Sequence, residues 1–146
     1  MRFGLPEPVL AIPQADREAR IWRASDDLLE VRDVGAFVRV LVPLSLTQGY
    51  QVVFGAWMGV ESEVLREAFE VWWGDGYRSL RLDGVLANRL PPWEDQTYGA
   101  VITAAVRDVG QLPYAVASPG PAMQDILTRK WPHELVLAAL AAYTGP

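Results

Sequence analysis

The stretch Tyr50-Gln-Val-Val-Phe-Gly-Ala-Trp-Met-Gly-Val-Glu-Ser-Glu-Val-Leu-Arg-Glu-Ala-Phe-Glu-Val-Trp-Trp73 joins two hydrophobic patterns without a break. From Tyr50 to Gly59 it is apolar and rich in β-branched and aromatic residues, which is typical of a strand covered on both faces. From Glu61 to Trp73 the apolar residues recur at helical spacing, so we predict an amphipathic helix with one inward stripe, formed by Val64, Leu65, Ala68, Phe69 and Trp72.

Local residues predict where this helix begins and ends. Glu61 or Ser62 can cap its start by accepting a hydrogen bond from a first-turn N–H. Gly74 suits the left-handed turn that commonly ends a helix. The stretch therefore predicts a strand that leads directly into a helix.

Further strands are predicted on both sides of this stretch. The apolar segment from Ala36 to Leu46 and the tight connection Thr47-Gln-Gly49 predict an antiparallel hairpin with Tyr50 to Gly59. Other predicted strands are Ile21–Ala24, Leu28–Arg32, Ser79–Leu90 with a bulge at Gly84, and a second hairpin of Tyr98–Arg107 with Leu112–Ala117. Helical segments are predicted at Ala15–Arg20, Met123–Trp131 and His133–Tyr143.

The sum of these elements is an α+β fold. We expect a mainly antiparallel sheet of about five to six strands, with one central amphipathic helix and a C-terminal helix packed on it. At 146 residues the chain is predicted to be a single domain, residues 1–146. Residues 1–14, which contain three prolines, are expected to be an extended lead-in.

Composition excludes several function classes. The formal net charge of −5 argues against a nucleic-acid partner. The chain has no Cys and one His, His133, so thiolate chemistry, disulfides and two-histidine metal sites are excluded, and we expect no metal and no cofactor. No apolar run approaches the roughly 20 residues that cross a bilayer, so we expect no membrane partner and a cytoplasmic location.

Three stretches together carry a resemblance to a known family. They are Phe54-Gly-Ala-Trp-Met-Gly-Val60 with the helix ending Glu70-Val-Trp72, then Leu86-Ala-Asn-Arg-Leu-Pro91, and then the hairpin from Val101 to Val116. These stretches resemble the bacterial family called domain of unknown function 2199. Members often begin with a Cys-x-x-Cys segment suggestive of zinc, which this Cys-free sequence lacks, so no metal role carries over. The resemblance implies a bacterial, cytoplasmic setting and points to the turn at Asn88–Pro91.

Asn88 and Arg89 are the first candidate site residues, because they lie just before Pro91-Pro92 at the end of a predicted strand. Arg89 offers a rigid fork for a carboxylate or phosphate, and Asn88 adds an amide beside it. The alternative is structural: Asn88 satisfies turn backbone, and Arg89 pairs with Glu94 or Asp95.

Six Trp residues make aromatic side chains unusually dense. One hypothesis is a ligand or partner surface lined by Trp57, Trp93 and Tyr98, with Arg89 as its anchor and Asp95 as a further polar group. The alternative is a Trp-rich core, which periodicity favours for Trp57 but not for Trp93 in its Pro-rich loop.

Two functions from different classes follow. The first is a non-enzymatic bacterial accessory or regulatory protein, such as an immunity-like module, that binds another protein or a second copy of itself. The second is a binder or enzyme for an apolar small molecule, with Arg89, Asp95 or a Tyr hydroxyl as the polar group. No recognised sequence motif links His133 to a nucleophile or an orienting acid, so we predict no catalytic residue.

Overall fold

The computed structural model describes residues 1–143, apart from the side chains of residues 23 and 24; the last three residues of the predicted domain lie outside it. The helices in this range are α1 (Glu7–Leu10), α2 (Gln14–Arg20), α3 (Ser62–Val71), α4 (Pro121–Thr128) and α5 (His133–Ala142). The strands are β1 (Ile21–Ser25), β2 (Leu28–Val31), β3 (Gly35–Leu46), β4 (Gln51–Val60), β5 (Arg81–Leu86), β6 (Val101–Ala105), β7 (Tyr114–Ala117) and β8 (Lys130–Trp131).

The β3–β4 hairpin is the centre of the sheet, which confirms the hairpin prediction. Its antiparallel register runs unbroken from Ala36 opposite Val60 to Ser45 opposite Gln51. The connection at Thr47–Gly49 reverses the chain through two left-handed residues, Gln48 and Gly49. The left-handed conformation at Gly49 suits a tight turn, since Gly has no Cβ to clash.

Strand β7 returns to β3 and closes a five-stranded barrel. Strands β3 to β7 pair antiparallel with their chain neighbours, and β7 then lies parallel to β3, with Tyr114 opposite Leu41. Strands β2 and β1 extend the sheet from one end of β3, and β8 pairs parallel with the other end. The α+β class is confirmed, but a mainly antiparallel sheet of five to six strands is only an approximation of this mixed, eight-stranded sheet of the described residues.

The ends of α3 differ from the prediction, although the helix itself is confirmed. Glu61 occupies the N-cap position but makes no side-chain capping hydrogen bond. The left-handed residue after the helix is Trp73, at φ 60°, and not Gly74. The Gly74 N–H donates to the Val71 carbonyl at 2.8 Å, so a β-turn follows the helix at once.

Two further predictions change in detail. Gly84 is not at a bulge, because β5 pairs with β6 in continuous register through Gly84 and Ile102. A Cβ at Gly84 would lie 2.1 Å from the Gly59 carbonyl oxygen, so glycine is required there by close backbone approach. The lead-in is also more ordered than expected, since it contains α1 and bridges β4 where Arg2 lies beside Gly55.

The core fills the barrel and the space beneath the helices. One face of β3 is buried along its length, through Val38, Val40, Val42, Leu44 and Leu46, and the other face is buried at Phe37 and Arg39. Helix α3 packs on β2 and β3 through buried Leu65 and Ala68. Phe69, which the helical period places on the same stripe, is instead exposed.

Candidate functional site

Asn88 is a buried structural residue. Its Oδ1 accepts the Trp57 backbone N–H at 2.8 Å, and its Nδ2 donates to the Leu5 carbonyl at 2.9 Å. The preceding residue still pairs as a strand does, with the Ala87 N–H donating to the Trp57 carbonyl. The side chain of Asn88 therefore continues the pairing of β4 where β5 has ended, and it ties in the N-terminal segment.

Arg89 lies on the surface between two carboxylates. Its Nε donates to Asp95 Oδ1 at 2.7 Å, and its Nη1 is 3.3 Å from Glu7 Oε2. The guanidinium also lies 4.4 Å from the centre of the Tyr98 ring. The hydrogen bond that Arg89 donates to Asp95 raises the pKa of Arg89 above its ordinary value; desolvation partly offsets this rise, and the charge of Glu7 adds to it. The structure thus brings Arg89, Asp95 and Tyr98 together in one surface cluster.

The predicted aromatic trio does not meet in one place. Trp93 is half-buried and packs edge-on against Trp131, with ring centres 5.1 Å apart. Trp57 is fully buried, and its ring lies under the guanidinium of Arg39 at 4.3 Å. Trp57, Trp93 and Tyr98 therefore contact three different partners.

Arg39 is a buried charged residue that the sequence reasoning missed. Only 4% of it is exposed, and its Nη1 donates to the Phe3 carbonyl at 2.9 Å. Its Nε lies 3.4 Å from Asp27 Oδ1. Burial raises the pKa of the Asp27 carboxyl, and the charges of Arg39 and Arg2 partly offset that rise. A single Arg inside the apolar run Phe37–Val42 was the available signal.

An open polar cleft lies beside Arg39. Its volume is about 710 Å³, and its charged lining is Arg2, Asp26, Asp27 and Arg39. Trp73 and the β6–β7 loop, residues 110–112, also line it. Tyr77 holds that loop, because its hydroxyl donates to the Gln111 carbonyl at 2.5 Å. A second cleft of about 420 Å³ shares Val53 and Tyr114 with the first.

A different surface combines exposed aromatic and acidic side chains. Trp22 on β1 is 57% exposed and Phe69 on α3 is 53% exposed. Together with Leu65 they line a groove of about 380 Å³. Arg66 and Glu70, four residues apart on α3, line the same groove together with Glu30 on β2. We call this surface the acidic aromatic face: Trp22, Glu30, Arg66, Phe69 and Glu70, all of which line the groove.

His133 has a structural position at the start of α5. Thr47 Oγ1 accepts the His133 backbone N–H at 3.0 Å and lies 2.7 Å from its Nδ1. The ring stacks on Tyr50 with centres 5.0 Å apart. Glu134 Oε1 is 3.8 Å from Nε2, beyond hydrogen-bond distance. These contacts fix the first turn of α5 against the β3–β4 turn.

Neither a cluster of metal ligands nor a membrane-spanning helix is present in the described part of the chain. Residues 1–143 contain no group of three or more His, Asp or Glu side chains placed to hold a metal ion. No helix in that same range is both long enough and apolar enough to span a bilayer.

Comparison with known proteins identifies the family. Residues 1–129 match the family DUF2199, which is described as an uncharacterized protein conserved in bacteria. The chain belongs to this bacterial family. No curated protein and no solved structure matches it. The match includes the acidic aromatic face, the polar cleft and the Asn88–Tyr98 loop, whereas α5 lies beyond it.

Proposed function

We propose that this protein is a non-enzymatic bacterial accessory protein, of the immunity-like or regulatory kind, that binds a basic protein partner through the acidic aromatic face. The observation that carries the proposal is the pair of exposed aromatic side chains, Trp22 and Phe69, that line one groove. Trp is among the residues that most often dominate the binding energy of an interface. Two large aromatic side chains exposed next to one another are a mark of such an interface.

The groove suits one anchoring side chain. Its volume of about 380 Å³ lies at the small end of the pockets that hold ligands. Leu65 lines it as well, so an inserted apolar group would be desolvated there. The rings of Trp22 and Phe69 would then exclude water from the contact, as the centre of an interface requires.

Charge indicates the kind of partner. Glu30 and Glu70 line the groove beside Arg66, and Glu63 and Glu67 add two negative charges elsewhere on the exposed surface of α3. Arg20 and Arg32 line an adjacent cleft that shares Trp22, Glu30 and Arg66 with this face. A partner with Lys or Arg around an apolar anchor would therefore be steered to α3, and its association would slow as salt increases.

The test is capture followed by reconstitution. The full chain is immobilised and used to capture partners from a bacterial lysate, and the captured protein is then purified and titrated against variants. Trp22→Ala and Phe69→Ala remove the two anchors, and Val101→Ala is the matched control because Val101 is a 50% exposed apolar residue on β6. We expect each anchor variant to weaken binding by about tenfold or more, while the control binds like the parent.

The same titration distinguishes this face from the Asn88–Tyr98 loop, which sequence reasoning proposed as the contact surface. Arg89→Ala and Trp93→Ala are expected to leave the affinity unchanged, since the contacts of these side chains lie within the chain. A partner that tolerates Trp22→Ala and Phe69→Ala but not Arg89→Ala would refute the assignment and favour the loop. A cytoplasmic location and self-association remain further proposals, which fractionation and sedimentation measurements would test.

A further inference from the structure

Trp73 occupies a backbone position that normally belongs to glycine. It is the third residue of the turn from Val71 to Gly74, and its φ is 60°. Bulky residues rarely adopt this left-handed conformation, because their Cβ crowds the backbone. Gly74, the adjacent residue, would suit the position, yet the chain places an indole there.

The Trp73 indole lies at the rim of a cleft. Trp73 is 51% exposed and lines the polar cleft beside Arg39. Its ring leans on Tyr77 at 4.8 Å and on Trp72 at 5.6 Å, so its orientation is fixed from behind. A strained, half-exposed and firmly held aromatic side chain at the rim of a cleft is a feature that packing alone does not require.

The two clefts adjoin over the β3–β4 hairpin, and together we call them the groove. Both clefts are lined by Val53 and Tyr114, so they adjoin at those residues and follow one another along β3. The groove passes Arg39 and Leu41 on β3 and ends near Ser45. From residue 39 to residue 45 a strand rises about 20 Å, which matches an extended ligand of several units better than a compact one.

The charges along the groove are balanced. In the first cleft Arg2 and Arg39 oppose Asp26 and Asp27, and Asp27 lies 3.4 Å from Arg39 and 4.0 Å from Arg2. In the second cleft Arg107 is followed by Asp108. A charged ligand would be attracted by one side chain and repelled by its neighbour at each of these pairs. The repulsion costs free energy in a partly desolvated site.

We propose that this groove binds a neutral oligosaccharide. A hydroxyl group both donates and accepts hydrogen bonds, so neighbouring sugar hydroxyls can bond to the exposed guanidinium of Arg2 and to the exposed carboxylate of Asp26 without adding charge. The C–H face of a sugar ring carries partial positive charge and packs on the negative face of an indole such as Trp73 or of the Tyr114 ring. The open shape of both clefts suits a chain that enters from the side.

The test is a titration of the full chain with cellohexaose, chitohexaose and maltohexaose, followed by saturation-transfer NMR and tryptophan fluorescence. Trp73→Gly removes the indole at a backbone position where glycine is favoured, so the variant is expected to fold. Trp73→Phe retains a flat aromatic face. Trp22→Ala is the matched control, because it removes an exposed indole outside the groove.

We expect at least one of the three oligosaccharides to bind, Trp73→Gly to weaken that binding by about tenfold, and Trp73→Phe to restore most of it. Trp22→Ala is expected to bind like the parent. If none of the three oligosaccharides binds the folded parent, or if Trp73→Gly binds as tightly as the parent, the proposal is overturned. A hyaluronan hexasaccharide that binds more tightly than the neutral chains would also overturn it, since the ligand would then be an anion. Failure here leaves the protein-binding proposal intact, because that proposal rests on other residues.

Discussion

Replacing Asn88 with Ala removes a buried amide that serves two separate segments of the chain. The variant leaves the Trp57 N–H, which lies in the core, and the Leu5 carbonyl, which is part-buried, without their partners. An orphaned buried group costs about 1–3 kcal/mol, and the part-buried carbonyl should cost near the lower end of that range. We therefore expect Asn88→Ala to lower the free energy of unfolding by about 2–4 kcal/mol.

Urea unfolding followed by far-UV circular dichroism measures this loss as a lower midpoint at an unchanged slope. Arg89→Ala is the matched control, because it removes the next side chain, whose ion pairs with Glu7 and Asp95 lie at the surface. Exposed ion pairs contribute about 1 kcal/mol or less, so the control should stay within that range. If Asn88→Ala costs no more than Arg89→Ala, Asn88 is not the structural residue that its hydrogen bonds indicate.

Two other substitutions test the buried phenol of Tyr77 and the close backbone approach at Gly84. Burial and the charge of Asp27 raise the pKa of the Tyr77 phenol. Above about pH 10 the unfolded chain therefore releases a proton that the folded chain keeps. The free energy of unfolding then falls with rising pH, by up to about 1.4 kcal/mol per pH unit. Tyr77→Phe should remove this fall of stability at alkaline pH. At neutral pH it should lower the free energy of unfolding by about 1 kcal/mol, because the hydrogen bond to Gln111 is lost. Urea unfolding at a series of pH values measures both effects, and an unchanged dependence of stability on alkaline pH would contradict the argument. Gly84→Ala places a methyl group against the Gly59 carbonyl and should cost about 1–3 kcal/mol or more in the same assay. Gly4→Ala, which has nothing within 4 Å of the new Cβ, should be nearly neutral; equal losses for the two would refute the close-approach argument.

The periodicity of apolar residues along the sequence predicted the helices and strands that depend on local sequence. The β3–β4 hairpin and α3 were predicted because their apolar residues repeat at the spacing of a strand and of a helix. Barrel closure was not predictable in this way, since the parallel contact of Leu41 with Tyr114 joins residues far apart in the chain. Strand β8 has two residues, too few to carry a period.

The candidate site was harder to predict for a related reason. The sequence shows an Arg inside an apolar run, but only the folded chain brings Asp27 and the Phe3 carbonyl to Arg39. Periodicity also assigned Phe69 to the inward stripe, whereas it lies at the rim of the groove with Trp22. For Asn88 the structural alternative was already available from the sequence, because Asn commonly satisfies backbone groups where a strand ends.

The central claim is that a protein partner contacts the acidic aromatic face. Hydrogen–deuterium exchange of the full chain, measured with and without the purified partner, tests this claim most directly. We predict slower exchange in β1 and in α3, with the Asn88–Tyr98 loop unchanged. Protection confined to residues 88–98, with β1 and α3 exchanging as in the free protein, would contradict the account.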